Sequence, residues 1–142
     1  MTLIEVLVAL LILSVGVLGV AAVQLNALKF TDSALRNTLA SFIAHDMIER
    51  MRANPEANYS LGSLSQAPTS GNHDNPRQQD LFDFAINVKN LAGESGEGRI
   101  FATGNAVTVE IDWDDARGAQ AQDHTETFTL SSIVSAGTSD KP

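Results

Sequence analysis

Glu5 is the residue whose position indicates most clearly that it needs a chemical partner. It directly precedes residues 6–23, a run of about 18 residues without a charged side chain. An ionised carboxylate at the edge of such a run is costly and usually marks a function or a partner. If Met1 carries a free or methylated amine, Glu5 of one copy could pair with that amine on an adjacent copy, provided that both charges are desolvated together. The alternative is that the Glu5 side chain extends to the membrane interface, where water solvates its carboxylate.

The other groups that could do chemistry form no catalytic or metal-binding constellation. Asp112, Asp114 and Asp115 could offer oxygens to calcium, but they lack the ordered spacing of an EF-hand loop, and a solvated acidic turn explains them better. No elbow motif surrounds a serine, and residues 93–98 lack the lysine of a phosphate loop. Three histidines are widely separated and lack HxxxH spacing: His45, His73 and His124. We therefore expect neither an enzyme, nor a metal site, nor a cofactor.

The composition excludes further classes of function. The 142 residues contain no cysteine, which excludes a disulfide framework, a thiolate zinc site and a cysteine nucleophile. The formal net charge of -8 disfavours binding that depends on a basic face, so we expect no nucleic acid as a partner. The length suits one domain with an appendage.

One long helix is expected to position Glu5. The apolar run shows no polar face, which predicts a helix surrounded by apolar material. From Gln24 onward, apolar residues recur at threes and fours between charged ones, which predicts an amphipathic continuation. Asn54-Pro55 should end the helix, because the residue before a proline disfavours helical geometry. A helix over residues 2–53 would be roughly 75–80 Å long, so its first half should protrude from a small head.

Two parts follow from this pattern. Residues 1–24 form the transmembrane or filament-core half of the helix, and residues 25–142 form the head together with the amphipathic half. A cleaved signal peptide would need a positive n-region, which the sequence lacks; an ordinary single-span anchor would use the same apolar run. Five residues of the protruding half are expected to pack against other helices, three by apolar bulk and two by allowing close approach: Leu7, Leu10, Leu11, Gly16 and Gly19.

The head is expected to combine a second helix with a small sheet. Turn-forming residues after Pro55 predict a long loop, either packed on the surface or partly disordered. Asp80 is expected to cap a short helix that ends near Gly93. Alternation predicts half-buried strands at residues 107–113 and 127–134, with a shorter one at 100–103 and antiparallel pairing. The sheet should cover an apolar stripe of the first helix: Leu35, Leu39, Phe42 and Ile43. The fold class is therefore α+β, a lollipop whose long N-terminal helix packs on a small antiparallel β-sheet.

The first ten residues, Met1-Thr-Leu-Ile-Glu5-Val-Leu-Val-Ala-Leu, resemble the mature start of type IV pilins and type II secretion pseudopilins. In that family a prepilin peptidase cleaves after a leader that ends in glycine and methylates the new N-terminus. The resemblance implies that Glu5 sets the register between subunits and that Met1, in the place usually held by phenylalanine, is N-methylated. Stretches at residues 24–28, 44–55, 113–115 and 127–130 are similar to minor pilins of this family. Ala22 stands where major pilins often carry proline, which also favours a minor subunit.

The resemblance further implies where such a protein resides and what it contacts. A minor pilin would be stored in the bacterial inner membrane as a single-pass protein, with its head in the periplasm, and would later enter the pilus at the cell surface. Its partners would be other minor pilins, the major pilin, the inner-membrane assembly platform, the prepilin peptidase, membrane lipid and a tip adhesin. Two alternatives remain open: a minor pseudopilin of a type II secretion system and a membrane-anchored binding module.

Overall fold

The computed structural model of the protein describes residues 2–115 and 124–134. Its elements are helix α1 (Leu3–Ala53), a short 3₁₀ helix (Leu64–Gln66), helix α2 (Pro76–Ala92) and strands β1 (Glu97–Thr103), β2 (Ala106–Asp114) and β3 (Thr125–Ile133). The fold is α+β, as expected from the sequence. The chain divides into two compact units, the first ending at Ala34 and the second beginning at Leu35. The functional division between residues 24 and 25 concerns a membrane or filament boundary and stays a prediction.

The first unit contains the apolar part of α1. The helix passes through Gly16 and Gly19 without interruption, and large apolar side chains from Leu3 to Phe30 are exposed. Within the described residues, α1 is the one helix long and apolar enough to cross a membrane, with a mean hydropathy of 2.9 over its best 18-residue window. None of that window is buried. The unit therefore has the length and surface chemistry of a segment that lies in an apolar environment.

The second unit buries a face of α1 that differs from the predicted one. Leu35, Leu39 and Phe42 are exposed, so the expectation that the sheet covers them is wrong; only Ile43 of the predicted stripe packs against the core. The buried face of α1 instead contains two small residues and three large ones: Ala40, Ala44, Met47, Ile48 and Met51. Alanine has no side chain beyond Cβ, so these two positions let the helix backbone approach the core closely while the larger residues fill it.

A three-stranded antiparallel sheet supplies the other side of this core. Its strand order is β1-β2-β3, and Val109 of β2 lies opposite Ile100 of β1 and Leu130 of β3. Alternate residues of β2 are buried, which confirms the predicted half-buried strand: Val107, Val109, Ile111 and Trp113. The segment between α1 and α2 is packed rather than loose, because its Tyr59, Leu61 and Leu64 are buried and Leu61 forms an isolated bridge with Ile100.

Helix α2 begins five residues earlier than the sequence suggested. Asn75 is the N-cap, its side chain accepts a hydrogen bond from the backbone N–H of Gln78 at 3.2 Å, and Pro76 occupies the first turn. The expectation that Asp80 caps the helix is therefore wrong; Asp80 lies in the second turn. The helix ends at its C-cap residue, Gly93, as predicted. The backbone φ of Gly93 is 77°, a conformation that glycine adopts at little cost.

Candidate functional site

Glu5 lies in the first turn of α1, where the structure gives it a local role as well. Its carboxylate Oε2 accepts a long hydrogen bond of 3.5 Å from the backbone N–H of Thr2. A negative charge near a helix N-terminus is stabilising, because the unpaired backbone N–H groups there carry partial positive charge. This contact is long and exposed, so it holds Glu5 only weakly. The carboxylate thus stands at the start of the apolar segment, accessible to a partner.

Met1, the residue whose amine was predicted to pair with Glu5, lies outside the described residues. The pairing between copies of the chain and the N-methylation of Met1 therefore both stay predictions. Thr2 precedes the helix, and its backbone C=O accepts bonds from the N–H groups of Glu5 at 3.1 Å and of Val6 at 3.4 Å. These bonds form the first turn of the helix, which contains Glu5, the residue predicted to set the register between subunits.

The residues predicted to pack against other helices all lie on α1 with exposed surfaces. Leu7, Leu10 and Leu11 are more than half exposed. At Gly16 and Gly19 a Cβ atom would meet nothing within 4 Å. Gly16 also lies in a shallow apolar depression with Leu13 and Val17. A neighbouring helix could approach closely at such a depression, because no side chain holds it away. These packing roles stay predictions.

A polar cluster in the second unit joins the end of α1 to α2. The Nη1 atom of Arg50 donates to Asp80 Oδ1 at 2.9 Å and to Asp83 Oδ2 at 3.0 Å, and its Nε atom donates to Asp46 Oδ2 at 2.8 Å. Asp46 and Arg50 stand one helical turn apart in the sequence, the spacing at which an acid and a base pair on one helix face. The sequence gives no such signal for the two bonds to α2, because contacts between residues far apart in the chain leave no periodic pattern.

The same cluster includes the chain's single tyrosine. The Tyr59 hydroxyl donates to Asp80 Oδ2 at 2.7 Å and accepts from Asn54 Nδ2 at 3.2 Å. Burial and the bond to Asp80 raise the pKa of Tyr59 to about 12. Burial acts to lower the pKa of Arg50, but its bonds to the surrounding aspartates outweigh that effect and raise it above its ordinary value. The cluster is therefore a set of charge-assisted contacts that stabilises the head.

The acidic stretch at the end of β2 does not converge on one point. Asp112 and Asp114 lie in β2, Asp112 accepts a hydrogen bond from Arg99, and Asp115 is buried. The expected solvated acidic turn is therefore wrong. Burial acts to lower the pKa of Arg99, but its bonds and charge contacts with Glu110 and Asp112 raise it overall. Across residues 2–115 and 124–134, no group of three or more histidine, aspartate or glutamate side chains is arranged to hold a metal ion. His45 lies on the exposed surface of α1, with its Nδ1 atom 2.9 Å from the Ser41 carbonyl oxygen.

Comparison with known proteins gives one family match. A family described as type IV pilin Tt1218 matches residues 22–78, which is less than half of the chain. The matched segment runs from the middle of α1, through the packed loop, to the start of α2. The searches of curated proteins and of solved structures returned no match. The match supports a type IV pilin-like family for this chain, and the long N-terminal helix followed by an antiparallel sheet is consistent with the type IV pilin fold.

Fold, apolar helix and family match together fit a structural subunit that is anchored in a membrane and found in a pilus. The match begins after residue 21, so it does not include Glu5. The assembly site predicted at the start of α1 therefore stays a prediction, based on the position of Glu5 and on the exposed helix that follows it.

Proposed function

We propose that this protein is a minor pilin that takes part in assembly and priming of the type IV pilus, in a tip complex with other minor pilins. The observation that carries the proposal is the placement of Glu5 in the first turn of an unbroken helix whose apolar half is exposed along its length. An apolar helix of this kind is stable only in lipid or among other apolar helices. A subunit that moves from the first environment to the second needs such a surface.

In the proposed mechanism, α1 first anchors the protein in the bacterial inner membrane, with the head in the periplasm. The assembly platform then transfers the subunit into a bundle of pilin helices, where burial of the apolar side chains favours association. Glu5 is attracted to the N-terminal amine of the adjacent subunit, and this pair is favourable only at the one axial offset that brings both charges together. Cleavage and methylation by the prepilin peptidase act on Met1 of this protein and prepare that amine.

Among minor pilins, the chain most resembles PilV, also called the type IV pilus modification protein. The resemblance rests on four stretches of sequence: residues 24–28, 44–55, 113–115 and 127–130. The family match over residues 22–78 overlaps the first two stretches and supports the broader pilin role. Ala22, in place of the proline of many major pilins, favours a minor subunit. The partners proposed for this role are other minor pilins, the major pilin, the assembly platform and a tip adhesin.

Deletion and complementation test the proposal. We expect that removal of the gene from a piliated host abolishes or strongly reduces surface pili, and that the full-length protein with its leader restores them. Surface pili are counted by electron microscopy, and protein export is measured in the same strains. Loss of export with normal piliation would instead indicate a type II secretion pseudopilin, and unchanged piliation and export would contradict both assembly roles.

A further inference from the structure

The loop that follows α1 contains an acceptor sequence for a covalent modification. Asn58, Tyr59 and Ser60 form an Asn-x-Ser sequence in which x is not proline, and no other asparagine of the chain has serine or threonine two positions later. Such a sequence is the acceptor for transfer of a saccharide to the asparagine amide. Glu56 stands two positions before Asn58, a position at which bacterial oligosaccharyltransferases also recognise an acidic side chain. The chain therefore offers one complete candidate for N-glycosylation.

The side chains that a transferase would recognise all lie at the surface of the head. Glu56, Asn58 and Ser60 are exposed, and Asn58 belongs to neither a helix nor a strand. An N-glycosylation acceptor is expected in a surface loop of an exported protein, because the saccharide is bulky and hydrophilic and cannot be buried. The placement of Asn58 meets this requirement.

The fold uses only part of this acceptor sequence. Oδ1 of Asn58 accepts a hydrogen bond of 2.9 Å from the backbone N–H of Ser60 and closes a turn, which is reason enough for an asparagine at this position. The turn needs neither the Ser60 hydroxyl nor an acid at position 56. Within the described residues, Nδ2 of Asn58, the Ser60 hydroxyl and the Glu56 carboxylate have no hydrogen-bond or ion-pair partner. The groups that the fold leaves free are those that the modification would use.

We propose that Asn58 is N-glycosylated in the periplasm by a membrane-bound oligosaccharyltransferase, with a saccharide linked to polyprenyl diphosphate as the donor. The proposal rests on the proposed function in one respect, namely export of the head to the periplasm. Nδ2 of Asn58 forms a bond to the anomeric carbon of the saccharide while the bond from that carbon to the diphosphate oxygen breaks. Polyprenyl diphosphate leaves with the electron pair, and the amide loses one proton to a base of the transferase. The Ser60 hydroxyl and the Glu56 carboxylate serve as recognition groups.

Tyr59 determines when this transfer takes place. The Tyr59 side chain is 2% exposed, and its hydroxyl donates to Asp80 of α2. Arg77 of α2 also donates to the backbone carbonyl oxygen of Asn58. Because these contacts fix the loop on the folded head, the transferase must bind the acceptor sequence before the loop packs, while the chain is being exported. After folding, the saccharide extends from the exposed Asn58 and displaces no hydrogen bond of Nδ2.

Mass spectrometry of the full-length protein purified from its piliated host tests the proposal. Trypsin releases residues 53–77 as one peptide, because Arg52 and Arg77 flank it. Electron-transfer fragmentation of this peptide locates a saccharide at a single residue, and we expect it on Asn58. An unmodified Asn58, or a saccharide on a serine or threonine of the same peptide, would overturn the proposal.

Two substitutions of Ser60 form a matched pair. Ser60→Ala and Ser60→Thr both keep the backbone N–H that bonds to Asn58 Oδ1, so both preserve the turn. Only threonine keeps the hydroxyl, so Ser60→Thr should retain the saccharide and Ser60→Ala should lose it. Equal modification of the two variants would contradict an N-linked acceptor. Glu56→Gln should also lower the modified fraction, and an unchanged fraction would remove Glu56 from the recognition site.

Asn58→Gln separates the modification from the proposed function. Because Asn58 lies in the head and outside the apolar half of α1, this variant should lack the saccharide and still restore surface pili. Protease added to spheroplasts should degrade its head, which shows that the head is exported. An unmodified Asn58 in a wild-type protein that restores pili would refute the modification and leave the minor-pilin role intact. A modified Asn58, together with unchanged piliation and export in the deletion strain, would refute the minor-pilin role and leave the modification intact.

Discussion

Arg50 of α1 and Asp80 of α2 form an ion pair of 2.9 Å that joins the last turns of the long helix to the second helix of the head. Asp80 also accepts a hydrogen bond from the Tyr59 hydroxyl at 2.7 Å, so one carboxylate receives donors from α1 and from the loop that follows it. The last turns of α1 are therefore held in the head by directed polar contacts as well as by apolar packing.

The first prediction concerns this anchor. Arg50→Ala should reduce the free energy of unfolding by about 2 kcal/mol, because it removes charge-assisted hydrogen bonds and leaves Asp80 beside Asp83 without their shared cation. The group is partly solvated, which limits the loss. Unfolding can be followed in detergent micelles by fluorescence, since the chain has a single tryptophan and Trp113 is buried in the head.

The matched control is Arg52→Ala. Arg52 lies two residues further along α1 and bonds to Glu49 and to Ser132 at the surface. An exposed pair contributes less than about 1 kcal/mol, so this variant should unfold close to the wild type. Equal losses for the two variants would show that the bonds between Arg50 and α2 add nothing beyond an ordinary surface contact.

The second prediction concerns the pH dependence of Tyr59. The chain has one tyrosine, so its ionisation can be followed by ultraviolet absorbance without ambiguity. The folded protein should titrate with a midpoint of about 12, whereas the protein in urea should titrate near the ordinary tyrosine value of about 10. Because the folded pKa is the higher one, this stabilisation is fully present below pH about 10 and is lost as the pH rises through about 12. Coincident midpoints in the two states would contradict the buried bond to Asp80.

The third prediction concerns which face of α1 belongs to the core. Ala44 is 0% exposed, so Ala44→Leu should overpack the core and cost about 1–3 kcal/mol. Leu39 stands on the exposed face, and Leu39→Ala should change the free energy of unfolding by less than about 1 kcal/mol. Tryptophan fluorescence during urea unfolding measures both. The reverse order of the two effects would mean that the core uses the stripe expected from the sequence.

Much of the fold could be predicted because it depends on local patterns. The helix was expected over residues 2–53 and spans Leu3–Ala53, since its apolar run, its periodicity and Asn54-Pro55 are all local signals. The alternation in β2 likewise predicted its buried residues. The start of α2 is also encoded locally, because Asn75-Pro76 is a typical N-cap followed by a first-turn proline, and this signal is stronger than that of Asp80.

The orientation of α1 could not be predicted in the same way, because it depends on packing between distant elements. Both faces of the helix around residue 42 carry apolar residues at helical spacing, and the pattern alone favours the bulkier stripe with Leu35, Leu39 and Phe42. The core uses the stripe with Ala40 and Ala44 instead, where small side chains allow close packing. The bonds from Arg50 to α2 link residues about thirty positions apart, and no spacing rule within one helix describes them.

The most direct test of the central claim is incorporation of Glu5→Ala into pili, in a strain where the wild-type protein restores piliation. The full-length variant is compared with Glu56→Ala, which removes the same charge from an exposed position in the head. We expect Glu5→Ala to be processed and to accumulate in the membrane, yet to leave the cells without surface pili, whereas Glu56→Ala should restore them. Normal piliation with Glu5→Ala would contradict a register role for this carboxylate and, with it, the assembly mechanism proposed for the protein.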